Sequence, residues 1–208
     1  MSNDTWNEYF IEGTNVLKNK LGITNKEELS KNEKIITLKK LAYLEMFPIE
    51  GKFDSDHLRK IHYFLFNDIY YFAGEYRKCE MARFREFVNP DEIEVRLKNE
   101  LDKMNKEVKN ILSIDGYSYF LAEEYYELMV IHPFREGNGR SVREFLREFV
   151  LSKKEQLPFN VELDFTKINP DEFLMAVKDK YLYPSLLQML FKNALVKADV
   201  KEDESKHL

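Results

Sequence analysis

The sequence predicts an all-α fold, a compact helical bundle with one small β element, and three features of the chain lead to this expectation. Only 7 glycines and 6 prolines occur among the 208 residues, about half the share usual in globular proteins, which disfavours turn-rich β folds. Apolar residues recur at intervals of three and four along most of the chain, as they do on the buried face of a helix. No repeat or linker-like segment divides the sequence, so a chain of this length is expected to form one core.

The first half of the chain is expected to contain two helices and one irregular segment. Two capping boxes, Thr24-x-x-Glu27 and Ser30-x-x-Glu33, occur near its start, and the second is expected to begin a helix that ends near Phe47. Helical spacing predicts another helix within Phe53–Tyr71. Residues 76–89 alternate only weakly and are expected to form a short hairpin or an extended loop.

The second half is expected to be helical almost throughout. Proline at the first position and an acidic first turn are typical of a helix start, and they occur at Pro90 and again at Pro170. The four helices are predicted from Pro90 onward, over Asp115–Ile131, from the turn at 132–139 to about Lys153, and from Asn169 to about Phe191. The domain is predicted at 35–195, after an N-terminal extension at 1–34 and before a charged, disordered tail at 196–208.

Composition and charge exclude several classes of protein. The formal net charge is −5 and the isoelectric point about 5.6, which argues against a general nucleic-acid-binding domain, because such domains are basic. The single cysteine, Cys79, excludes a disulfide framework and fits a reducing compartment. The start of the chain lacks the features of a secretory signal, and no apolar stretch is long enough to cross a membrane. A cytoplasmic location is therefore predicted.

One segment, the twelve residues HPFREGNGRSVR at 132–143, differs from the rest. Gly137 and Gly139 allow positive φ and close backbone approach at the junction of two predicted helices. Backbone amides in such a turn, followed directly by a helix N-terminus, form an anion site. Arg140 and Arg143 lie on one side of the following helix, away from its apolar face. The sequence thus predicts a polyphosphate site here.

Two side chains of this segment suggest chemistry. His132 stands where it can face the same cavity, and a neutral imidazole is a suitable base for a hydroxyl. Glu136 offers a hard oxygen ligand that can hold Mg²⁺ against phosphates. The residues therefore predict transfer of a phosphate-containing group to a hydroxyl. The structural alternatives are a helix-end histidine, an ordinary turn and a solvated arginine face; a zinc site is disfavoured because no other histidine has ligand spacing with His132.

The segment resembles the signature of the Fic family, His-Pro-Phe-x-Asp/Glu-Gly-Asn-Gly-Arg-x-x-Arg, and matches it at every defining position. The stretch NDIYYFAGEYR at 67–77 is similar to the family pattern D-x-Y-x-x-A-G-x-x-R, and Phe53–Phe66 resembles the helix that precedes it. The resemblance covers about residues 35–195. It implies an all-α fold with a small β-hairpin flap, and transfer of AMP from ATP to a Ser, Thr or Tyr hydroxyl of a target protein.

The resemblance also implies roles for individual residues. His132 corresponds to the base and Glu136 to the Mg²⁺ ligand. The nucleotide-binding positions are Phe134, Gly137, Asn138, Gly139, Arg140 and Arg143. Residues 77–88 correspond to the flap, a hairpin that holds the target backbone as an added strand. Its target-docking positions are Glu80, Met81, Ala82, Arg83 and Phe84, which replace the frequent Lys-Gly pair.

Many family members are restrained by a helix with the motif Ser/Thr-x-x-x-Glu-Gly/Asn, whose Glu pairs with the second arginine. Thr24-x-x-x-Glu28 matches only its first part, since Leu29 follows, and Ser185-x-x-x-Met189 lacks the acid. The stretch 13–23 is similar to family members whose inhibitor is a separate antitoxin, which is the arrangement expected here. Alternatives are a Fic-fold enzyme that moves UMP, GMP or phosphocholine, one that removes AMP, and a non-catalytic nucleotide-binding module.

Overall fold

A computed structural model describes residues 3–82, 86–178 and 185–198 of the chain. The predicted all-α fold is confirmed: within these residues, the only sheet has two strands. The helices are α1 (Asn3–Asn7), α2 (Lys26–Met46), α3 (Ser55–Phe66), α4 (Ile93–Glu107), α5 (Ile114–Ile131), α6 (Asn138–Lys153), α7 (Pro170–Lys178) and α8 (Leu186–Ala194). None of these helices is long and apolar enough to cross a membrane.

Helix α5 lies at the centre of the bundle and packs against α4, α6 and α8. Its aromatic and aliphatic side chains are buried on several sides of the helix, as its dense apolar sequence predicts. Tyr125 contacts Phe173 of α7 and Phe191 of α8, with ring centroids 4.8 and 5.8 Å apart. This packing fixes the end of α5, where the signature segment begins.

The start of α2 differs from the prediction. The helix begins at Lys26, after an Asn25 N-cap whose side chain accepts a hydrogen bond from the backbone N–H of Glu28. Ser30 therefore lies inside the helix and does not cap it. The helix extends back by about one turn because Leu29 packs into the core, where it is buried. Glu33 therefore has no capping role, and its carboxylate contacts Arg140 instead.

The sheet was not predicted. Strand β1 (Val161–Leu163) pairs in antiparallel orientation with β2 (Leu195–Lys197), so that Leu163 is opposite Leu195. Val196 and Lys197, predicted as part of the tail, are therefore paired backbone. The region predicted as a helix from Asn169 to Phe191 contains α7 and α8 as separate described helices, with residues 179–184 outside the described chain.

Candidate active site

His132 ends α5 in a strained backbone conformation. Its φ and ψ are 49° and 61°, in the left-handed region that a β-carbon disfavours, while its backbone N–H still donates to Leu128. This single left-handed residue turns the chain out of the helix and directs the imidazole toward the adjacent cavity, whose wall it forms. Strain of this kind persists only where surrounding contacts hold it.

Arg77 supplies those contacts. Its guanidinium donates to the carbonyl oxygens of His132 at 2.8 Å and Cys79 at 2.7 Å, and also to those of Val88 and Ile131. The side chain is buried, and burial lowers the pKa of its guanidinium. Arg77 thus ties both ends of the flap segment to the backbone of His132.

The ring of His132 is fixed from the flap side. Phe87 stacks on it face to face, with ring centroids 3.8 Å apart and planes 2° apart. Such a parallel stack limits rotation of the imidazole and covers one of its faces. Phe87 therefore sets the plane in which His132 meets a ligand.

The turn before α6 has the backbone geometry that an anion site requires. Gly137 is the N-cap of α6 with φ of 82°, and a β-carbon there would lie 2.3 Å from the Phe66 ring. Glycine is required at this position for both reasons. No side chain caps α6, and the first amides of a helix have no partner within it. The amides of Asn138, Gly139 and Arg140 are thus placed to bind an anion.

The side chain of Asn138 closes the turn. It accepts from the backbone N–H of Phe134 at 2.8 Å and donates to the carbonyl of the same residue at 2.7 Å. Only the backbone of Asn138 is left to contact a ligand. Its side chain holds the loop in the shape that exposes the amides.

Phe134, predicted as a nucleotide-binding residue, lies beneath the anion loop and not among the residues that line the cavity. It is completely buried and stacks on His62, with ring centroids 3.8 Å apart. His62 Nδ1 accepts from the Gly74 N–H at 2.8 Å, so its Nε2–H donates to the Glu136 carbonyl at 2.9 Å. The aromatic ring of Phe134 fills the core beneath a turn that is rich in polar groups. Phe134 and His62 support the anion loop from behind.

Burial keeps His62 neutral and lowers its pKa from 6.5 to about 4. Between these two values the unfolded chain binds a proton that the folded protein does not, so acid destabilises the fold. We expect His62 to cost roughly 3 kcal/mol of stability between pH 7 and pH 4.

Urea denaturation of the wild type and His62→Gln across this pH range tests that expectation. All other titratable groups are present in both proteins, so the difference between their free energies of unfolding reports on His62. This advantage of the wild type should shrink as the pH falls. An advantage that stays constant with pH would contradict it.

A cavity of about 850 Å³ opens beside His132 and the anion loop. At one end it is polar, with Glu136, Gly137, Arg140 and Arg143. Its other end is apolar. That wall is formed by Phe165, Ile168, Pro170, Phe173, Leu174 and Val177. The volume is typical of sites for small molecules and cofactors, and the two ends fit a ligand with an anionic part and an apolar body.

The charged side chains of the cavity have defined partners. Arg143 hydrogen-bonds with Tyr125, whose pKa burial raises in spite of this cation. Arg140 lies 3.6 Å from Glu136 and 2.5 Å from Glu33, which belongs to α2. Glu136 accepts from the Gly137 N–H at 2.9 Å through one carboxylate oxygen. The cavity thus combines three arginines, Arg135, Arg140 and Arg143, with one half-exposed carboxylate.

The flap borders the cavity only in part within the described chain. Met81 and Ala82 line it, and Ala82 forms an isolated antiparallel bridge with Glu86, as a hairpin would. Glu80 does not line the cavity, and borders a second surface pocket together with Met81 and Ala82. Arg83 and Phe84, the other two predicted docking residues, lie outside the described residues.

Several supporting residues were missed by reasoning from residue types. Arg77 and Tyr70 belong to the stretch at 67–77 that resembles the family pattern, and this resemblance could have identified them. Glu33 was interpreted as a cap, and Phe87 and His62 carry no sequence signal of their own. Each acts through a contact with a residue far away in the chain.

Fold and site together define a helical protein with a cavity beside a histidine that Arg77 and Phe87 hold in place. The size and lining of this cavity suit a ligand of nucleotide size with an anionic part. The chain belongs to the Fic/DOC family, which it matches over residues 52–150. It is 34% identical over 172 residues to the "probable protein adenylyltransferase y4lH" of Sinorhizobium fredii, which covers 79% of this chain and 83% of that protein.

A second relative and a solved structure extend this similarity. The "protein adenylyltransferase VbhT" of Bartonella schoenbuchensis is 29% identical over 192 residues, 91% of this chain, but this chain spans only 38% of that protein's length. The crystal structure of BepC from Bartonella tribocorum, with bound AMPPNP, superimposes with a TM-score of 0.81 and 23% identity, over 93% of this chain and 98% of that one. The last similarity establishes the shared fold.

Proposed function

We propose that this protein transfers AMP from ATP to a Ser, Thr or Tyr hydroxyl of a target protein and releases pyrophosphate. The carrying observation is the cavity, whose lining combines the start of α6, which no side chain caps, with three arginines, apolar side chains, His132 and the flap residues Met81 and Ala82. The names of the relatives as protein adenylyltransferases support the same activity.

In this mechanism His132 takes the proton of the target hydroxyl as its oxygen attacks the α-phosphorus. The bond between the α-phosphorus and the pyrophosphate oxygen breaks, and the electron pair leaves with pyrophosphate. The turn of Gly137, Asn138 and Gly139 holds the α- and β-phosphates through the N–H groups of Asn138 and Gly139, since that of Gly137 already donates to Glu136. Arg140 braces these phosphates and Arg143 meets the γ-phosphate. These groups stabilise charge that grows on the leaving group.

The polar end fits Mg²⁺ as a metal shared with the nucleotide. Among the described residues no group of three acidic, histidine or cysteine side chains converges as a metal site. Glu136, 42% exposed and on the cavity wall, is the carboxylate that would hold the ion. Magnesium commonly takes one or two carboxylates together with phosphate oxygens and water, and it neutralises phosphate charge when bound.

The flap is proposed to dock the target. Its backbone around Glu80, Met81 and Ala82 stands at the rim of the site, and an extended target segment could add to it as a strand. A target segment docked in this way would present its hydroxyl next to His132. The proposed reaction needs a compartment that supplies ATP, and the buried free thiol of Cys79 fits a reducing one. We therefore also propose that the protein acts in the cytoplasm.

Incubation of the full-length protein with a lysate and radiolabelled ATP, GTP, UTP or CTP, each labelled at the α-phosphate, tests this function. Label from ATP in protein bands, and mass spectrometry that finds AMP on a hydroxyl side chain, are the expected results. Label from another nucleotide would support a Fic enzyme of different specificity. Tight ATP binding without any transfer would favour the non-catalytic module.

We further propose that inhibition comes from a separate antitoxin. Within the described residues no carboxylate forms an ion pair with Arg143. A groove beside it, between α2, α6 and residues 163–166, is lined by Arg143, by Arg147 in its pair with Glu144, and by the acidic Glu45 and Asp164. Arg143 is the cation there that a partner's glutamate would bind. A bidentate pair with Arg143 would take the place of the γ-phosphate.

Glu28→Gly tests the alternative of an internal inhibitor. Glu28 is exposed in the first turn of α2 and contributes only its backbone N–H to the Asn25 cap. We expect self-modification and target modification to stay within about twofold of wild type, as for most surface substitutions. Purified protein should already be active, and its expression should slow bacterial growth.

Glu28→Ala is the matched control, because it removes the carboxylate and keeps a good helix former. A gain of roughly tenfold or more in both variants, about the worth of a charge-assisted pair, would show that an inhibitory glutamate is built into α2.

A further inference from the structure

A carboxylate from α2 reaches across the bundle to the first arginine of the signature segment. Glu33 Oε1 lies 2.5 Å from Nη2 of Arg140, although the two residues are 107 positions apart. Thr37, one turn further along α2, accepts from Nη1 of the same guanidinium at 3.3 Å. The Phe66 ring lies beside the guanidinium, with its centroid 4.8 Å from the central carbon. Arg140 is therefore held on three sides.

Glu33 is itself fixed. The Tyr70 hydroxyl donates to its second carboxylate oxygen, so both oxygens have a partner. The side chain of Glu33 is only 12% exposed, and Tyr70 and Thr37 are buried. Burial and the adjacent Glu33 carboxylate raise the pKa of Tyr70, which keeps its hydroxyl a donor. An ion pair so enclosed is screened much less by salt than a surface pair.

This arrangement determines where Arg140 can point. A guanidinium has five N–H donors, and Glu33 and Thr37 occupy only part of them, which leaves donors for a phosphate at the cavity wall. Without Glu33 the nearest carboxylate would be Glu136, now 3.6 Å from Nη2 and in the i,i+4 position. Arg140 would then move onto Glu136 Oε1, which also accepts from the Gly137 N–H, and this pair would compete with the proposed metal for the Glu136 carboxylate.

We propose that Glu33, oriented by Tyr70, is a positioning residue that holds Arg140 toward the nucleotide phosphates and away from Glu136. The inference rests on the proposed function, because it needs Arg140 to bind phosphate. The two residues to which it gives a role, Glu33 and Tyr70, lie outside the signature segment. It also gives Tyr70, the tyrosine of the D-x-Y-x-x-A-G-x-x-R stretch, a physical role.

The test is calorimetric titration of ATP with Mg²⁺ into full-length wild type, Glu33→Ala, Tyr70→Phe, Arg140→Ala and the double variant Glu33→Ala/Arg140→Ala, with transfer rates measured alongside. Glu33→Ala should raise the dissociation constant about tenfold, the order expected for a lost charged hydrogen bond. Tyr70→Phe should act in the same direction, by about threefold. In the Arg140→Ala background the effect of Glu33→Ala should fall to roughly twofold or less.

A purely structural role gives a different pattern. Misfolding would lower the number of binding sites and the melting temperature while the remaining sites keep their affinity. Glu27→Ala, an exposed carboxylate of the same helix, is the matched control and should bind as wild type does.

Three results would overturn the proposal: unchanged affinity in Glu33→Ala, additive losses in the double variant, or tighter binding, which would make Glu33 a restraint. Unchanged affinity in Arg140→Ala would instead contradict the phosphate role of Arg140 in the proposed function.

Discussion

His132→Ala is expected to lower target modification by about 10²–10⁴, the range for loss of a general base, while ATP binds with nearly unchanged affinity. The reason is geometric. The imidazole lies at the end of α5 under Phe87, whereas the anion-binding amides belong to the start of α6. Removal of the ring therefore removes the proton acceptor and leaves the phosphate site intact. Transfer of label from α-labelled ATP and calorimetric ATP binding measure the two effects separately.

His207→Ala is a matched control, since His207 lies outside the segment that resembles the family. Its activity should equal that of wild type. Transfer by His132→Ala within a factor of about three of wild type would remove His132 from the mechanism, because a base contributes at least about a hundredfold. Loss of ATP affinity in parallel with activity would instead indicate collapse of the loop.

Glu136→Ala is expected to reduce turnover by about a hundredfold or more, and an excess of chelator should stop turnover in the wild type. Both treatments remove charge neutralisation from the departing pyrophosphate. Glu136 also accepts a hydrogen bond from the Gly137 N–H, so the alanine variant alone would mix loop and metal effects. Turnover measured against Mg²⁺ concentration separates them.

Glu136→Gln provides that separation, because its amide oxygen can still accept from Gly137 but binds Mg²⁺ more weakly. The glutamine variant should show the same loss at low Mg²⁺ and regain part of its activity at high Mg²⁺. Unchanged turnover in excess chelator would contradict the assignment of Glu136. Full activity of Glu136→Gln at every Mg²⁺ concentration would show that Glu136 acts only through its hydrogen bond in the loop.

Local sequence signals were sufficient for most helices. Proline at position 90 begins a one-turn 3₁₀ helix that continues into α4, as the proline and the acidic first turn predict. The ends of α5 and α6 fall within one residue of the predicted ends at Ile131 and Lys153. These signals work because capping, proline geometry and helical periodicity depend on residues a few positions apart.

The sequence by itself also determined the anion loop. Two glycines, an asparagine and a helix start lie within four residues, so the uncapped amides at 138–140 follow from local geometry. The same holds for the position of His132 at a helix end. A short segment that folds on itself can be interpreted from its own residues.

Only the tertiary structure decided what holds these groups in place. Arg77 binds the carbonyl of His132 across 55 positions, and Glu33 binds Arg140 across 107. The pairing of β1 with β2 is of the same kind, since two three-residue strands have no periodicity to detect. The physical reason is that periodicity and capping record neighbours along the chain, whereas a buried charge finds its partner by the packing of whole helices. Glu33 fits a capping box by its spacing, and only the position of α2 against α6 makes it the ion-pair partner of Arg140.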